Sequence, residues 1–260
     1  MRRLLLLLVA CLALGVAAPA APASAQLAPE TAMQDALRAF DSLRAGNWQL
    51  AQFYATRALD AGTLARGDQA GVLSYRGDAR RRQADYTGAI EDYAQALAIG
   101  LPPQFAARVH NNRALAHLRM ERPDLALEDY TRAVTLDPTF AEAFNNRGAL
   151  RSLNGLHDQA LADHTTAIRL SPNNGPYFAN RAQAYLRLKF YEEAIEDFTT
   201  AMDMALTPAD GVVAVFNRGL AWEALGIEAE ARDDFALAFE LDPDEAVYRE
   251  KFIEYGLIRP

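Results

Sequence analysis

The chain has 260 residues, of which 51% are hydrophobic and 23% are charged, and its net charge is −8. An acidic balance of this size argues against nucleic acid as a partner, because the phosphate backbone is bound through basic residues. The single cysteine, Cys11, excludes an internal disulfide, so the fold depends on its hydrophobic core.

The first 25 residues have the pattern of a secretory signal peptide. Arg2 and Arg3 precede an apolar run at 4–18, and the small residues Ala23 and Ala25 frame a cleavage site. The pattern predicts cleavage after Ala25 and a periplasmic or secreted chain. The Ala/Pro-rich segment ending in "ASAQ" favours a bacterial protein, with eukaryotic secretion as the alternative.

Two other interpretations of this segment are weaker. A retained membrane anchor is disfavoured because the apolar run is shorter than the roughly 20 residues needed to cross a bilayer. No transmembrane span is expected in the mature chain, 26-260. The stretch "LVAC", residues 8–11, resembles a bacterial lipoprotein box, in which Cys11 would carry the lipid.

Small residues recur with a fixed period along the rest of the chain. One small residue in each repeat is followed at fixed distances by two alanines. From the third repeat to the sixth the first small residues are spaced by 34, 34 and 37 positions: Ala114, Gly148, Ala182 and Gly219. Two antiparallel helices approach closely only where one backbone meets the other without bulk between them. The period therefore predicts a series of helical hairpins.

Three segments carry a second-helix pattern that is specific in combination. They read "YTGAIEDYAQAL" at 86–97, "LALEDYTRAVTLDP" at 125–138 and "YEEAIEDFTTAM" at 191–202. With these motifs the chain resembles the tetratricopeptide repeat (TPR) family. The resemblance implies an all-α, right-handed α-solenoid of about six helix-turn-helix repeats and covers nearly all of the mature chain.

The repeats are predicted to form a single domain over 26-260. A C-terminal capping helix is predicted at 245-256, because the last repeat of a solenoid otherwise exposes its apolar end. Three insertions, at 63–69, 101–105 and 206–211, are expected to lengthen the turns between repeats. The repeats are placed at about 32-65, 70-103, 107-140, 141-174, 175-208 and 212-245.

An arginine and an aspartate, sixteen residues apart, recur in five repeats. In a helical hairpin these positions lie near the same level of the two helices, so we predict structural ion pairs. The first repeat lacks the pair, since Tyr54 stands where the aspartate would follow Arg38. The predicted pairs are Arg76 with Asp92, Arg113 with Asp129, Arg147 with Asp163, Arg181 with Asp197, and Arg218 with Asp234.

Asparagines precede four of these arginines and point to a different role. In the TPR family this place on the first helix lies toward the concave surface, where some members hold the backbone of an extended peptide. An amide side chain offers both a donor and an acceptor, which suits any main chain. The alternative is that the asparagines bond only to neighbouring backbone and solvent. The resemblance implies partner contacts for Asn111, Asn112, Asn145, Asn146, Asn180 and Asn217.

A basic cluster on the first helices of repeats two and three is a further candidate for partner binding. It comprises Arg81, Arg82, Arg108 and Arg119. Such a cluster can receive an acidic or C-terminal segment, or it can be a solvated face. The family's clamp for C-terminal carboxylates is not reproduced, because Ser74, Asp78, Leu115 and Ala149 occupy the corresponding places.

No pattern for catalysis, a cofactor or a metal is found. His110 and His117 are seven residues apart and lack the i, i+4 spacing of a metal site, and His164 stands at a packing position. The preferred hypothesis is a non-catalytic scaffold of the cell envelope that binds another protein or a peptide on its concave surface. The alternative is an accessory subunit that self-associates or docks through its convex or terminal surfaces. The sequence leaves the oligomeric state open.

Overall fold

A computed structural model describes residues 29–204 and 206–257. The predicted signal peptide, its cleavage site and Cys11 lie outside this part of the chain. Within it, thirteen helices account for the regular structure and no strand is present. The helices form six consecutive antiparallel hairpins, which pack side by side, followed by a single helix. The chain is thus the all-α repeat solenoid that the sequence predicts.

The helices have the following bounds. The hairpins are α1 (Pro29–Arg44) with α2 (Trp48–Asp60), α3 (Arg66–Arg82) with α4 (Tyr86–Ile99), α5 (Pro103–Arg119) with α6 (Pro123–Leu136), α7 (Ala141–Leu153) with α8 (His157–Leu170), α9 (Gly175–Leu188) with α10 (Tyr191–Asp203), and α11 (Pro208–Ala224) with α12 (Glu228–Leu241). The last helix is α13 (Ala246–Glu254).

Close helix approach inside each hairpin depends on the periodic small residues. A Cβ atom added to Gly148 would lie 2.8 Å from Cε1 of His164, and one added to Gly219 would lie 2.8 Å from Cε1 of Phe235. Real Cβ contacts are longer, so glycine lets the two helices pack at their present spacing. The buried aromatic side chains of the second helices, Tyr93, Tyr130, Phe198 and Phe235, fill the seam at this level.

The three insertions hardly lengthen the turns between repeats, contrary to the prediction: the α2–α3 turn has five residues, against four between α6 and α7, and the other two turns have three and four. They instead add about one turn to the start of the next helix: α3, α5 and α11 have 17 residues each, whereas α7 has 13 and α9 has 14. Pro103 and Pro208 stand in the first turn of α5 and α11, where a missing N–H is tolerated. Proline thus starts these helices one turn earlier.

Helix α13 covers the end of the last hairpin. Tyr248 is buried, and Phe252 stacks on Phe239 of α12 with ring centroids 4.3 Å apart. Val247 and Ile253 of the same helix are about half exposed. The cap is therefore built from aromatic rather than aliphatic side chains.

Candidate functional site

Five ion pairs join the two helices of repeats two to six. In each pair the arginine donates from Nε and Nη2 to the two carboxylate oxygens of the aspartate, over distances of 2.6 to 2.9 Å. The five aspartates are buried, so each carboxylate depends on its arginine for a compensating charge. The structure brings together Arg76–Asp92, Arg113–Asp129, Arg147–Asp163, Arg181–Asp197 and Arg218–Asp234.

Three of these aspartates have a second side chain within 3 Å that the sequence pattern did not reveal: an arginine for two of them and a histidine for the third. Burial raises the pKa of Asp129, but hydrogen bonds from Arg113 and His110 outweigh it and hold the pKa below its usual value. Within the described residues, Asp197 and Asp234 pair with a single arginine. The second contacts are Arg80 Nη1 to Asp92 at 2.9 Å, His110 Nδ1 to Asp129 at 2.7 Å and Arg151 Nη1 to Asp163 at 2.7 Å.

The first repeat replaces the pair with a reversed one. Asp35 of α1 is fully buried and lies 3.1 Å from Nη2 of Arg57 on α2. The guanidinium of Arg38 lies over the ring of Tyr54, 5.6 Å from its centroid. In this pair the carboxylate is on the first helix and the arginine is on the second, the opposite of the other repeats. An ion pair still joins the two helices of this hairpin, although the repeated arginine–aspartate pattern is absent there.

The asparagines of the first helices bond to the preceding repeat. Asn112 Nδ2 donates to Asp78 at 2.8 Å, and Asn146 Nδ2 donates to Asn111 Oδ1 at 3.0 Å. Asn111 is only 1% exposed. The side chain of Asn111 is therefore mostly enclosed between repeats, and its expected contact with a partner stays a prediction. Asn112 and Asn146 are half-buried and keep part of their amide groups open.

Asn145 has a similar structural role. Its Oδ1 accepts from Nδ2 of Asn180 at 2.9 Å and from Nδ1 of His164 at 3.0 Å. His164 is buried, and burial lowers its pKa to about 4, so the ring is neutral at pH 7. Asn217 is half-buried and makes no hydrogen bond to any residue in the described part of the chain.

Three adjoining cavities share Phe105 and form what we call the N-terminal groove. They lie on the first helices of the first four repeats, α1, α3, α5 and α7. The apolar cavity, of about 420 Å³, is lined mainly by Met33, Leu37, Phe40, Val72, Tyr75 and Leu101. Met33, Leu37 and Phe40 are more than a third exposed, as is Phe105. The sequence contained this helix-spaced apolar set, but spacing alone does not separate a groove from a core.

The basic cavity, of about 610 Å³, adjoins the apolar one through Phe40, Tyr75 and Phe105. Arg81, Arg82 and Arg108 of the predicted basic cluster line it, and Arg44 joins them. Two of these guanidinium groups lie over aromatic rings: Arg82 is 5.3 Å from the centroid of Trp48, and Arg44 is 5.8 Å from that of Phe40. Arg119 lies outside the lining of all three cavities, contrary to its predicted place in the cluster.

The polar cavity, of about 420 Å³, continues from Arg108 toward the turn between α6 and α7. Asn111 and Asn112 contribute to its wall. Asp137 and Glu142 give this end two carboxylates. The groove therefore changes from apolar to basic to acidic along its length.

Asp78 is fixed in the wall of the basic cavity. It accepts hydrogen bonds from Tyr93 Oη at 2.6 Å and Asn112 Nδ2 at 2.8 Å. Burial raises the pKa of Asp78, against the opposing effect of these two donors and of Arg81. Its carboxylate thus anchors the groove wall to the hairpin seam.

Within residues 29–204 and 206–257, no group of histidine, cysteine and acidic side chains is arranged to hold a metal ion. No helix in that part of the chain combines the length and apolar character needed to cross a membrane. Phe105 and the first turn of α5 belong to the groove, although the sequence predicts that the insertion at 101–105 lies in a turn.

Comparison with known proteins agrees with the repeat architecture. Three family models, each described as tetratricopeptide repeat, match residues 107–140, 129–162 and 180–246. The matched segments lie in the third to sixth hairpins, with residues 163–179 unmatched between them, and include no residue of the first or second hairpin.

Solved structures with a similar fold extend over more of the chain. The Pseudomonas aeruginosa protein pilF is 18% identical, with a TM-score of 0.72, over 86% of this chain and 98% of its own. A MamA protein is 23% identical, with a TM-score of 0.59, over 74% of this chain and 98% of its own. YrrB, described as a TPR protein with an unusual peptide-binding site, is 21% identical, with a TM-score of 0.55, over 73% and 98%. At this identity the likeness shows the fold.

Proposed function

Because this chain is an all-α solenoid of tetratricopeptide repeats, we propose that it is a protein-interaction scaffold that binds a segment of another protein in the N-terminal groove. The observation that carries the proposal is the groove itself. It runs across four neighbouring first helices and combines exposed aromatic side chains with arginines. Concave sites with apolar walls and a few polar groups are the usual form of binding sites.

The tetratricopeptide repeat fold supports the proposal that a partner binds in this groove. Tetratricopeptide repeats are generally non-catalytic interaction modules, and YrrB is an example of the fold with a peptide-binding site. In the family the first helices face the concave surface, which is the surface we propose for the partner. We propose no catalytic role for the chain.

The proposed partner contacts differ from the sequence-based set. Arg81, Arg82 and Arg108 line the groove, and Asn112 presents part of its amide there. Asn145, Asn146 and Asn180 bond mainly between repeats, so their contribution to binding is indirect. The groove residues Phe40 and Phe105 take their place as direct contacts.

Site-specific photo-crosslinking tests this function. A photoreactive amino acid at position 105 should crosslink the full-length protein to a partner in the cells that produce it. Position 132, exposed on the second helix α6, is the matched control. Crosslinking from position 132 and none from position 105 would contradict a groove-binding function.

A second candidate surface lies at the other end of the solenoid. A cavity of about 600 Å³, lined largely by apolar residues that include Leu206, Val213 and Leu241, opens between the α10–α11 turn and α13. Val213 and Leu241 are exposed, which favours docking or self-association through this end. A partner, or a second copy of the chain, that crosslinks from position 213 but not from 105 would support this alternative.

We also propose that the scaffold acts outside the cytoplasm, in the cell envelope. The support is the signal-peptide pattern over residues 1–25. N-terminal sequencing of the protein from its producing cells should begin at Gln26. An N-terminus at Cys11 would support lipidation, and an uncleaved chain would contradict export by this route.

A further inference from the structure

The N-terminal groove presents its three cavities in a fixed chemical order, and this order restricts what can bind. The inference rests on the proposed function and specifies the partner segment. The apolar and basic cavities share Phe40, Tyr75 and Phe105, so a ligand that enters one continues into the other. The basic and polar cavities share Arg108, Asn112 and Glu142 in the same way.

The arginines of the basic cavity differ from the structural arginines of the repeats. Arg76 and Arg113 each use Nε and Nη2, one edge of the guanidinium group, to bind both carboxylate oxygens of a buried aspartate. By contrast, Arg44, Arg81, Arg82 and Arg108 form no ion pair with a carboxylate of the described residues. Four arginines and two carboxylates, Asp78 and Glu142, thus line one cavity of a chain whose net charge is −8, so the cavity is basic on balance.

Arg81 is the most constrained of the four. Its Nε is buried and has no hydrogen-bond partner in the described part of the chain. The Arg81 side chain as a whole is only half-buried, so the accessible part of its guanidinium group can give a ligand carboxylate a charge-assisted hydrogen bond. Asp78, a carboxylate of the same wall, accepts hydrogen bonds from Tyr93 and Asn112.

The polar cavity imposes the opposite preference. Asp137 and Glu142 line it, with Arg108 as its single basic residue. A run of carboxylates that extended from the basic cavity into this one would meet like charge, which disfavours binding. A neutral or basic residue fits this end better. The acidic part of a ligand is therefore confined to the middle of the groove.

We propose that the N-terminal groove selects a peptide segment in which a large apolar side chain, a pair of carboxylates and a basic residue follow one another. The apolar side chain enters the cavity of Met33, Leu37 and Phe40. The carboxylates bind Arg81 and Arg108. The basic residue lies near Asp137, in the polar cavity at the end of the groove.

Short fluorescein-labelled peptides of equal composition test the order directly. Two peptides contain the core Phe-Glu-Glu-Lys or its reverse, which cover both chain directions, and a third contains Glu-Phe-Lys-Glu. Fluorescence anisotropy with the full-length protein should show about tenfold tighter binding of one ordered peptide than of the scrambled one. Raising the salt from about 50 mM to about 300 mM should weaken the ordered complex most, because its charges are screened.

Substitutions assign the contacts. Arg81→Ala and Arg108→Ala should each weaken the ordered peptide by about tenfold, and Leu37→Ser should weaken it by losing the apolar cavity wall. Arg132→Ala on α6 is a matched control that removes an exposed arginine outside the groove and should leave binding unchanged. Circular dichroism of each variant establishes that the repeats are folded.

Equal binding of ordered and scrambled peptides, or equal loss with Arg132→Ala, would overturn this inference. No detectable binding of any of the three peptides would overturn it as well. The proposed function has a separate test. It would be contradicted if crosslinking from position 105 captured no partner. A partner that crosslinks at 105 but whose segment lacks the proposed order would leave the function standing and reject the selectivity.

Discussion

Asn146 donates a hydrogen bond from Nδ2 to Oδ1 of the buried Asn111, one repeat earlier, at 3.0 Å. Asn180 makes the equivalent bond to Asn145 at 2.9 Å, and Asn112 bonds to Asp78 at 2.8 Å. These bonds link consecutive first helices, whereas the arginine–aspartate pairs link the two helices of one hairpin. The repeated Asn-Arg dipeptide thus links neighbouring repeats through its asparagine and the two helices of one repeat through its arginine.

Removing the asparagine link should destabilise the protein without any ligand present. Asn146→Ala leaves the acceptor of Asn111 buried and unsatisfied, which costs about 1 to 3 kcal/mol of unfolding free energy. Urea denaturation followed by circular dichroism measures the loss. Asn217→Ala is the matched control: its side chain has no hydrogen bond in the described part of the chain and should change stability by less than about 0.5 kcal/mol. Equal losses in the two variants would show that the link contributes nothing.

The ion pairs should differ in strength according to their second cation. Arg181→Ala leaves Asp197 buried with no other cation within the described residues, so a loss of roughly 3 kcal/mol is expected. Arg147→Ala leaves Asp163 paired with Arg151 at 2.7 Å and should cost clearly less. The measurement is the unfolding free energy of each variant in urea.

A double variant provides the control for this comparison. Arg147→Ala with Arg151→Ala strips Asp163 of both arginines and should approach the loss seen with Arg181→Ala. If Arg147→Ala alone were as costly as Arg181→Ala, the second arginine would not compensate the buried charge. The prediction would also fail if the double variant lost no more than Arg147→Ala.

The repeat pattern could be predicted from sequence because identical packing constraints recur. Gly148 and Gly219 face the same seam, and each paired arginine meets its aspartate at the same level. The groove could not be predicted in this way, since it depends on departures from the pattern. Phe105 belongs to an insertion, and Leu37 belongs to the degenerate first repeat, so no neighbouring repeat indicates where they point.

His164 should make the unfolding free energy of the protein fall at acidic pH. Its folded-state pKa is lowered to about 4, mainly by burial, from an ordinary value near 6.5. Above pH 6.5 the ring is neutral in both states and has no effect. Below it the unfolded chain binds a proton that the folded chain does not, so stability falls by about 1.4 kcal/mol per pH unit until about pH 4.

The substitution His164→Phe isolates this contribution. Phenylalanine occupies the same seam position in the next two repeats, as Phe198 and Phe235. The variant should therefore lose less unfolding free energy than the unmodified protein when the pH is lowered from 7.5 to 5. Urea unfolding of both proteins at the two pH values measures the difference. The same loss in both proteins would exclude His164 as a source of acid sensitivity.

Adding a methyl group at the seam should be destabilising where glycine touches an aromatic ring. In Gly148→Ala the new Cβ would lie 2.8 Å from Cε1 of His164 and 3.1 Å from Cβ of Asp163, so the His164 ring or the helices must shift. Overpacking of this kind costs about 1 to 3 kcal/mol. Gly211→Ala is the matched control in helix α11, where a Cβ has no neighbour within 4 Å, and should stabilise the helix by up to about 1 kcal/mol. In urea unfolding we expect Gly148→Ala to lower the unfolding free energy and Gly211→Ala to raise it. An unchanged unfolding free energy for Gly148→Ala would contradict this prediction. It would mean that the hairpin adjusts to the added methyl group, as the hairpins with Ala114 and Ala182 at the equivalent position do.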